Sequence, residues 1–233
     1  MHALDNPIWT ALTTKQSILA HSSALARRFS PEMTLLGALA ANTAMAFDSL
    51  AQLIQHDPVT LYFPAPQKLA AGWEVVRAVE LHQMVLDQAA LETDAPGAAE
   101  NSSAPEVIEL TTADLPEMTE IYAATRPGRA LCQRIQKLGT FLGVRDEGNL
   151  VAMGGLRLHL AGHREITTVA TRPGFEGRGY GTAVMRALVE HIRARGERPF
   201  LSVRTDNERA IEIYRKLGFT ERTVLYSQTI RRD

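Results

Sequence analysis

The chain has 233 residues, 45% of them hydrophobic and 22% charged, with a formal net charge of −1. That balance, with no polybasic run, gives no electrostatic footprint for nucleic acid or an anionic membrane surface. The single cysteine, Cys132, excludes an intramolecular disulfide framework and fits a reducing cytoplasm, and no basic-then-apolar opening marks a secretory signal.

In chain order, residues 1–92 carry helical patterns at about Ile8–Leu12, Ser17–Phe29, Leu35–Leu39 and Phe47–Ile54. Thr34–Phe47 is the most apolar stretch. It is interrupted by Asn42 and Thr43 and is too short to span a bilayer. A short strand is predicted at Thr60–Phe63, and Trp73–Val76 with Leu81–Leu86 add a further strand or helix. Residues 93–105 are small, polar and Pro-bearing, which reads as a linker or exposed loop.

Val107–Leu110 suits a strand, and Thr112 opens a helix whose apolar stripe is Leu115, Met118, Ile121 and Tyr122. Arg126-Pro127-Gly128 breaks the chain, and Leu131, Ile135 and Leu138 pattern a second helix. Phe141–Val144 and Leu150–Leu158 form a hairpin across Asp146-Glu147-Gly148-Asn149. Ile166–Thr171 is a β-branched strand that runs into Pro173 and three glycines spaced by two, Gly177, Gly179 and Gly181. A helix follows over Gly179–Arg195, then a strand at Phe200–Val203, a helix after Asn207 and a last strand at Glu221–Ile230.

A strand that breaks into a Gly-rich turn and opens a helix leaves backbone N–H groups unpaired and aimed at an anion. The spacing G-x-G-x-G is neither the dinucleotide fingerprint nor the P-loop, which would need Lys after its last glycine. The run Glu176-Gly-Arg-Gly-Tyr-Gly181 resembles the acetyl-CoA loop of the GNAT N-acetyltransferases, [Q/R]-x-x-G-x-[G/A], with Glu176 where the family has Gln or Arg. Asn207-x-x-Ala210-x-x-x-Tyr214-x-x-Leu217-Gly218-Phe219 resembles the closing segment of the same family. Glu165 stands at the spacing from the loop where some members carry a general base. The resemblance covers residues 106–233. The opening Leu4–Leu12 also resembles a GNAT subgroup with an extra N-terminal region, which can be read as a degenerate half of the same fold.

The resemblance implies an α/β (α+β) fold with a mixed, mostly antiparallel sheet flanked by helices. It divides the chain into an N-terminal lobe (1–92), a linker (93–105) and an acetyltransferase domain (106–233). It also implies acetyl transfer from acetyl-CoA to a primary amine by direct attack, with no metal. An alkyl ammonium has a pKa of about 10.4, so something must take its proton. Glu165 is the first candidate for that base, with His159 and His163 as alternatives and a solvent-facing Glu165 as the plain reading.

The resemblance assigns the oxyanion donor to the Val169 N–H, on a strand splayed from its neighbour, and the proton donor to the leaving thiolate to Tyr214, otherwise a core aromatic. Pyrophosphate is expected on the N–H groups of Gly177, Arg178, Gly179, Tyr180 and Gly181. Thr182 adds a hydroxyl, Thr171 lines the pantetheine arm, and Asn207 bonds that arm, caps its helix, or does both. Arg126, Arg129 and Arg134 could favour an acidic acceptor. A non-catalytic acyl-CoA sensor and an interaction module are the other classes, and a homodimer stays open.

Overall fold

The computed structural model describes residues 2–54, 57–87 and 105–232. Its elements are α1 (Pro7–Thr13), β1 (Ala20–Ser22), β2 (Ala26–Phe29), β3 (Gly37–Leu39), α2 (Ala44–Ala51), β4 (Val59–Phe63), β5 (Trp73–Leu86) and β6 (Ile108–Leu110). They continue with α3 (Leu115–Thr125), β7 (Phe141–Asp146), β8 (Asn149–Leu160), β9 (His163–Thr171), α4 (Tyr180–Arg193), β10 (Arg198–Arg204), α5 (Glu208–Lys216) and β11 (Phe219–Arg232).

Eight strands form one sheet in the order β4-β11-β5-β10-β9-β8-β7-β6, and β1-β2-β3 form a smaller one. Within the larger sheet every neighbouring pair is antiparallel except β9 with β10. The α4 crossover imposes that exception, because parallel neighbours need a long connection. The fold is therefore the expected mixed α+β sheet flanked by helices.

Local chemistry explains where the helices start. Asn6 caps α1 by accepting the Trp9 N–H at 3.3 Å, with Pro7 in the first turn. Thr111 and Asp114 bond reciprocally as a capping box ahead of α3. Asn207 caps α5 by accepting the Ala210 N–H. Among the described helices only α4 starts on a glycine, Gly179, which offers no side chain to cap it.

The sheet has two covered faces. On one, α1 and α3 press Ile8, Leu12, Met118 and Ile121 onto Phe141, Met153, Leu158 and Phe200. On the other, α4 and α5 bring Val184, Leu188, Ile192 and Ile211 against Val151, Ile166, Leu201, Val203 and Phe219. Each such buried side chain contributes about 1.5–3 kcal/mol, so the two faces hold the sheet as a rigid platform. A third cluster joins α2 and the small sheet to β4 and β11 through Phe47, Leu50, Leu61 and Ile230.

Several N-terminal expectations change. Ser17–Phe29 is not one helix: a 3₁₀ turn at Ser17–Leu19 gives way to β1 and β2. Leu35–Leu39, also expected helical, contributes β3, because its backbone pairs with β2. Helical spacing in this stretch yields to long-range ladder bonds. Trp73–Leu86 is a single fourteen-residue strand. The helix expected through Leu131–Leu138 shrinks to a 3₁₀ turn at Ile135–Leu138, since the Arg134 N–H that a helix would use inside donates instead to the Glu32 carbonyl.

The expected division at 92 and 106 does not separate two sheets. β5 lies between β10 and β11, and β4 flanks β11, so the first part of the chain supplies two strands of the main sheet. The expected linker 93–105 falls outside the described residues, except for Pro105.

Candidate active site

The parallel pair β9 and β10 holds register only from Arg198↔His163 to Leu201↔Ile166. Beyond it, Ser202–Arg204 keep their antiparallel partners on β5, while Thr167–Thr171 have none on β10. The two strands thus diverge toward their C-terminal ends, where parallel strands joined by a crossover present ligand sites. An opened ladder leaves backbone N–H and C=O groups available for an extended ligand.

A bulge fixes the divergence. On β8, Met153 and Gly155 face Ala170 and Thr167, so Thr168 and Val169 together oppose Gly154. Thr168 takes φ +59, unusual for a β-branched residue. Gly154 makes room, since a Cβ there would lie 3.0 Å from Leu188 and Val184 and 3.2 Å from Val169. The kink lies one residue before Val169, to which the resemblance gives the oxyanion role.

After β9 the chain enters the glycine loop. Gly179 sits at φ +83 as the α4 cap, an angle at which a side chain would be strained. The first α4 bond runs from the Ala183 N–H to the Gly179 carbonyl, which leaves the N–H groups of Tyr180, Gly181 and Thr182 outside the helix ladder. No Cβ from any loop glycine crowds that approach, except at Gly181, where it would meet Thr171 Oγ1 at 3.0 Å.

Glu176, the departure from the family pattern, turns its carboxylate back on the loop. It accepts the Gly174 N–H at 2.7 Å, and its pKa is lowered by backbone N–H groups, its own first and then that of Gly174. Arg178 lies over Phe175 at 5.0 Å and 3.6 Å from Asp146, which also accepts the Tyr180 hydroxyl. These contacts brace the loop.

The opposite wall of the cleft comes from α3. Arg126 donates to the Val169 carbonyl at 3.0 Å and stacks on Tyr122 at 4.8 Å. Burial lowers its pKa, while Tyr122 and Tyr214 oppose that shift. Tyr214 is half-buried on α5, edge-on to Phe219 at 6.2 Å. Burial raises its pKa, and the Arg126 charge acts the other way. Its phenol is thus protonated at neutral pH, within the field of a cation that favours the phenolate. Asn207, Thr171 and Thr182 stand at the ends of β10, β9 and the start of α4, around the mouth of the opening.

Glu165 lies below the cleft, in the paired part of β9, and is fully buried. Arg157 grips both carboxylate oxygens, each at 2.8 Å, and reaches the Tyr62 hydroxyl at 3.3 Å. Burial acts to lower the Arg157 pKa, but the adjacent Glu165 charge overcomes it and raises the guanidinium above its ordinary value. Direct proton abstraction by Glu165 would require this bidentate fork to open. The alternatives lie elsewhere: His159 bonds Glu197 at 2.5 Å, and His163 is edge-on to His2 at 5.6 Å.

Spacing alone missed two contacts at the candidate site. Arg126 follows a helix end and gives no signal that it would reach β9. Arg157 sits in an apolar strand, and its regular place in that strand was the one available hint of a buried partner. Among the described residues no three His, Cys, Asp or Glu side chains gather as a metal site, and no helix is long and apolar enough to cross a membrane.

The acetyltransferase (GNAT) family model matches residues 105–219. A crystal structure from Novosphingobium aromaticivorans, described as a GNAT-family acetyltransferase, is 33% identical over all of both chains, with a TM-score of 0.86. The N-alpha-acetyltransferase RimI of Mycobacterium tuberculosis is 38% identical over 82 residues, 34% of this chain and 51% of that protein. A mycothiol acetyltransferase of Saccharomonospora viridis is 39% identical over 101 residues, 39% of this chain and 33% of that protein. The match thus spans about half the length of the first of these relatives and a third of the second.

Proposed function

The chain belongs to the GNAT acetyltransferase family, and from that premise we propose that it transfers an acetyl group from acetyl-CoA to a primary amine by direct attack. The observation that carries this reading is the opening between β9 and β10, with a capless helix N-terminus at its mouth and the bulged Val169 on its wall. The N–H groups of Gly177 through Gly181 bind the pyrophosphate, with the Thr182 hydroxyl beside them. Positions on β9 that have left β10, including Thr171, take the pantetheine arm, and Asn207 caps α5 next to it. Acetyl-CoA supplies the activated thioester.

The acceptor arrives as an ammonium and must lose one proton before its nitrogen can attack the thioester carbonyl. Positive charge around the cleft favours the neutral amine, because like charges disfavour the protonated form. The N–C bond forms as negative charge moves to the carbonyl oxygen, where the Val169 N–H donates. The C–S bond then breaks, the thiolate takes the Tyr214 hydroxyl proton, and the amide nitrogen releases its surplus proton to water. Tyr214 recovers its proton from solvent. Net, one ammonium and one thioester give one amide, one thiol and one proton. Arg126 lowers the cost of the transient phenolate. Glu165 serves as the proton acceptor only when the Arg157 fork opens; closed, it holds the strands that frame the cleft.

The reading is tested by following thiol release from acetyl-CoA with a panel of primary amines. Amine-dependent release with an N-acetylated product supports it. Saturable acetyl-CoA binding without transfer to any amine would favour the acyl-CoA sensor instead. On the same reading the chain works in the cytoplasm and handles neither nucleic acid nor membrane.

A further inference from the structure

The acceptor side of the cleft carries arginines with which, among the described residues, no carboxylate pairs. Arg126-Pro127-Gly128-Arg129 is a tight turn: the Arg129 N–H donates to the Arg126 carbonyl at 3.1 Å, and Gly128 takes φ +74. Pro second and a left-handed Gly third are the signature of a type II turn, which brings its first and fourth residues together. Arg126 is anchored on Val169, so the turn sets Arg129 beside the reacting end of the cleft.

Arg77 joins them from β5. Register places Leu81 opposite Arg204 and Gln83 opposite Ser202, and Arg77 shares the face of Leu81 and Gln83 by strand alternation. That is the face on which Val85 and Phe200 pack toward α3. Burial lowers the Arg77 pKa, and repulsion from Arg129 and Arg204 adds to the shift, so these charges lie within each other's field. Arg204 is paired with Asp206. Among the described residues, Arg77, Arg126 and Arg129 have no ion-pair partner, whereas Arg134 is bridged to Glu32 outside this group.

Clustered guanidinium groups repel one another and cost stability unless an anion sits among them, and their planar forks match carboxylate geometry. We propose that the amine acceptor carries a carboxylate close to its nucleophilic nitrogen, read by Arg77, Arg126 and Arg129. This inference rests on the acetyl-transfer reading and narrows it to amino-acid-type acceptors. Arg126 is bonded to the carbonyl of Val169, the residue whose N–H the acetyl-transfer reading sets on the reacting oxygen. The same charges favour the neutral form of the amine.

The test compares the twenty protein amino acids with their amides, their decarboxylated amines and O-phosphoethanolamine, in thiol-release assays on the full chain. At least one free amino acid should exceed its own amide in kcat/KM by about tenfold or more, as expected for loss of a charge-assisted contact. Arg129→Gln and Arg77→Gln should each pull that acid-to-amide ratio toward one, while acetyl-CoA affinity by calorimetry stays within about twofold. Amides accepted as well as acids, or a phosphorylated amine preferred over every carboxylate, would overturn the proposal and leave acetyl transfer standing. Absence of acetyl-CoA binding would overturn the transfer reading itself.

Discussion

Strand β9 has two halves that behave differently. Up to Ile166 it is laddered to β10, and its Glu165 is buried in a bidentate pair with Arg157. Beyond Ile166 it leaves β10, kinks at Thr168 and spends its backbone on a cleft. The same few residues thus give a closed, satisfied half and an open, unsatisfied one. The lesson is that the open half can leave β10 without fraying because β8 still pairs it at Thr167, Ala170 and Thr171, while the closed half is fixed on both sides. Charge follows the same division. Arg157 below is matched by Glu165, whereas Arg126 above meets a carbonyl, the Thr125 hydroxyl and the Tyr122 ring, with no carboxylate among the described residues.

Substitutions should separate the two halves, and the largest effect is expected below the cleft. Glu165→Gln leaves the buried Arg157 charge unmatched and should cost about 3–5 kcal/mol of stability, read by chemical denaturation. If Glu165 were chiefly a base, the same change would leave stability near wild type and remove the acidic limb of the pH–rate profile.

Above the ladder, Tyr214→Phe should lower kcat by roughly a hundredfold, within the usual range for lost proton transfer, with little change in acetyl-CoA affinity. An unchanged kcat would return Tyr214 to a packing role against Phe219. Gly179→Val should abolish measurable acetyl-CoA binding, because a β-branched residue cannot hold φ +83 without distorting the cap. Its folding cost should be only about 1–2 kcal/mol, the left-handed penalty for one residue.

The smallest effect is at the kink. Thr168→Gly relieves a left-handed β-branched residue, so stability should hold or rise by up to about 1 kcal/mol, where glycine in an ordinary strand would cost that much. Turnover should fall modestly as the bulge loosens. A clear loss of stability would show that Thr168 is not strained.

The open half was the more legible in sequence. Gly177, Gly179 and Gly181, the strand before them and the Asn207–Phe219 frame are local patterns, and a capless helix start is written in adjacent residues. The closed half was less so, because Glu165 and Arg157 meet across β8 and β9 and a partner eight residues away on another strand has no local signature. The N-terminal region misled for the same reason. Ala26–Phe29 and Gly37–Leu39 take their conformation from ladder bonds to each other, and β5 takes its place from β10 and β11. Arg126 was visible as a charge but not as a clamp on Val169. Glu176 departed from the expected pattern, and its bond to the Gly174 N–H keeps the carboxylate occupied within its own loop.

The most direct measurement is a calorimetric titration of the full chain with acetyl-CoA, repeated on Gly179→Val. The account predicts saturable binding at about one per chain that the variant loses while staying folded. No binding by the natural chain, or equal binding by a folded variant, would contradict the assignment of the β9–α4 loop as the site that holds the acetyl donor.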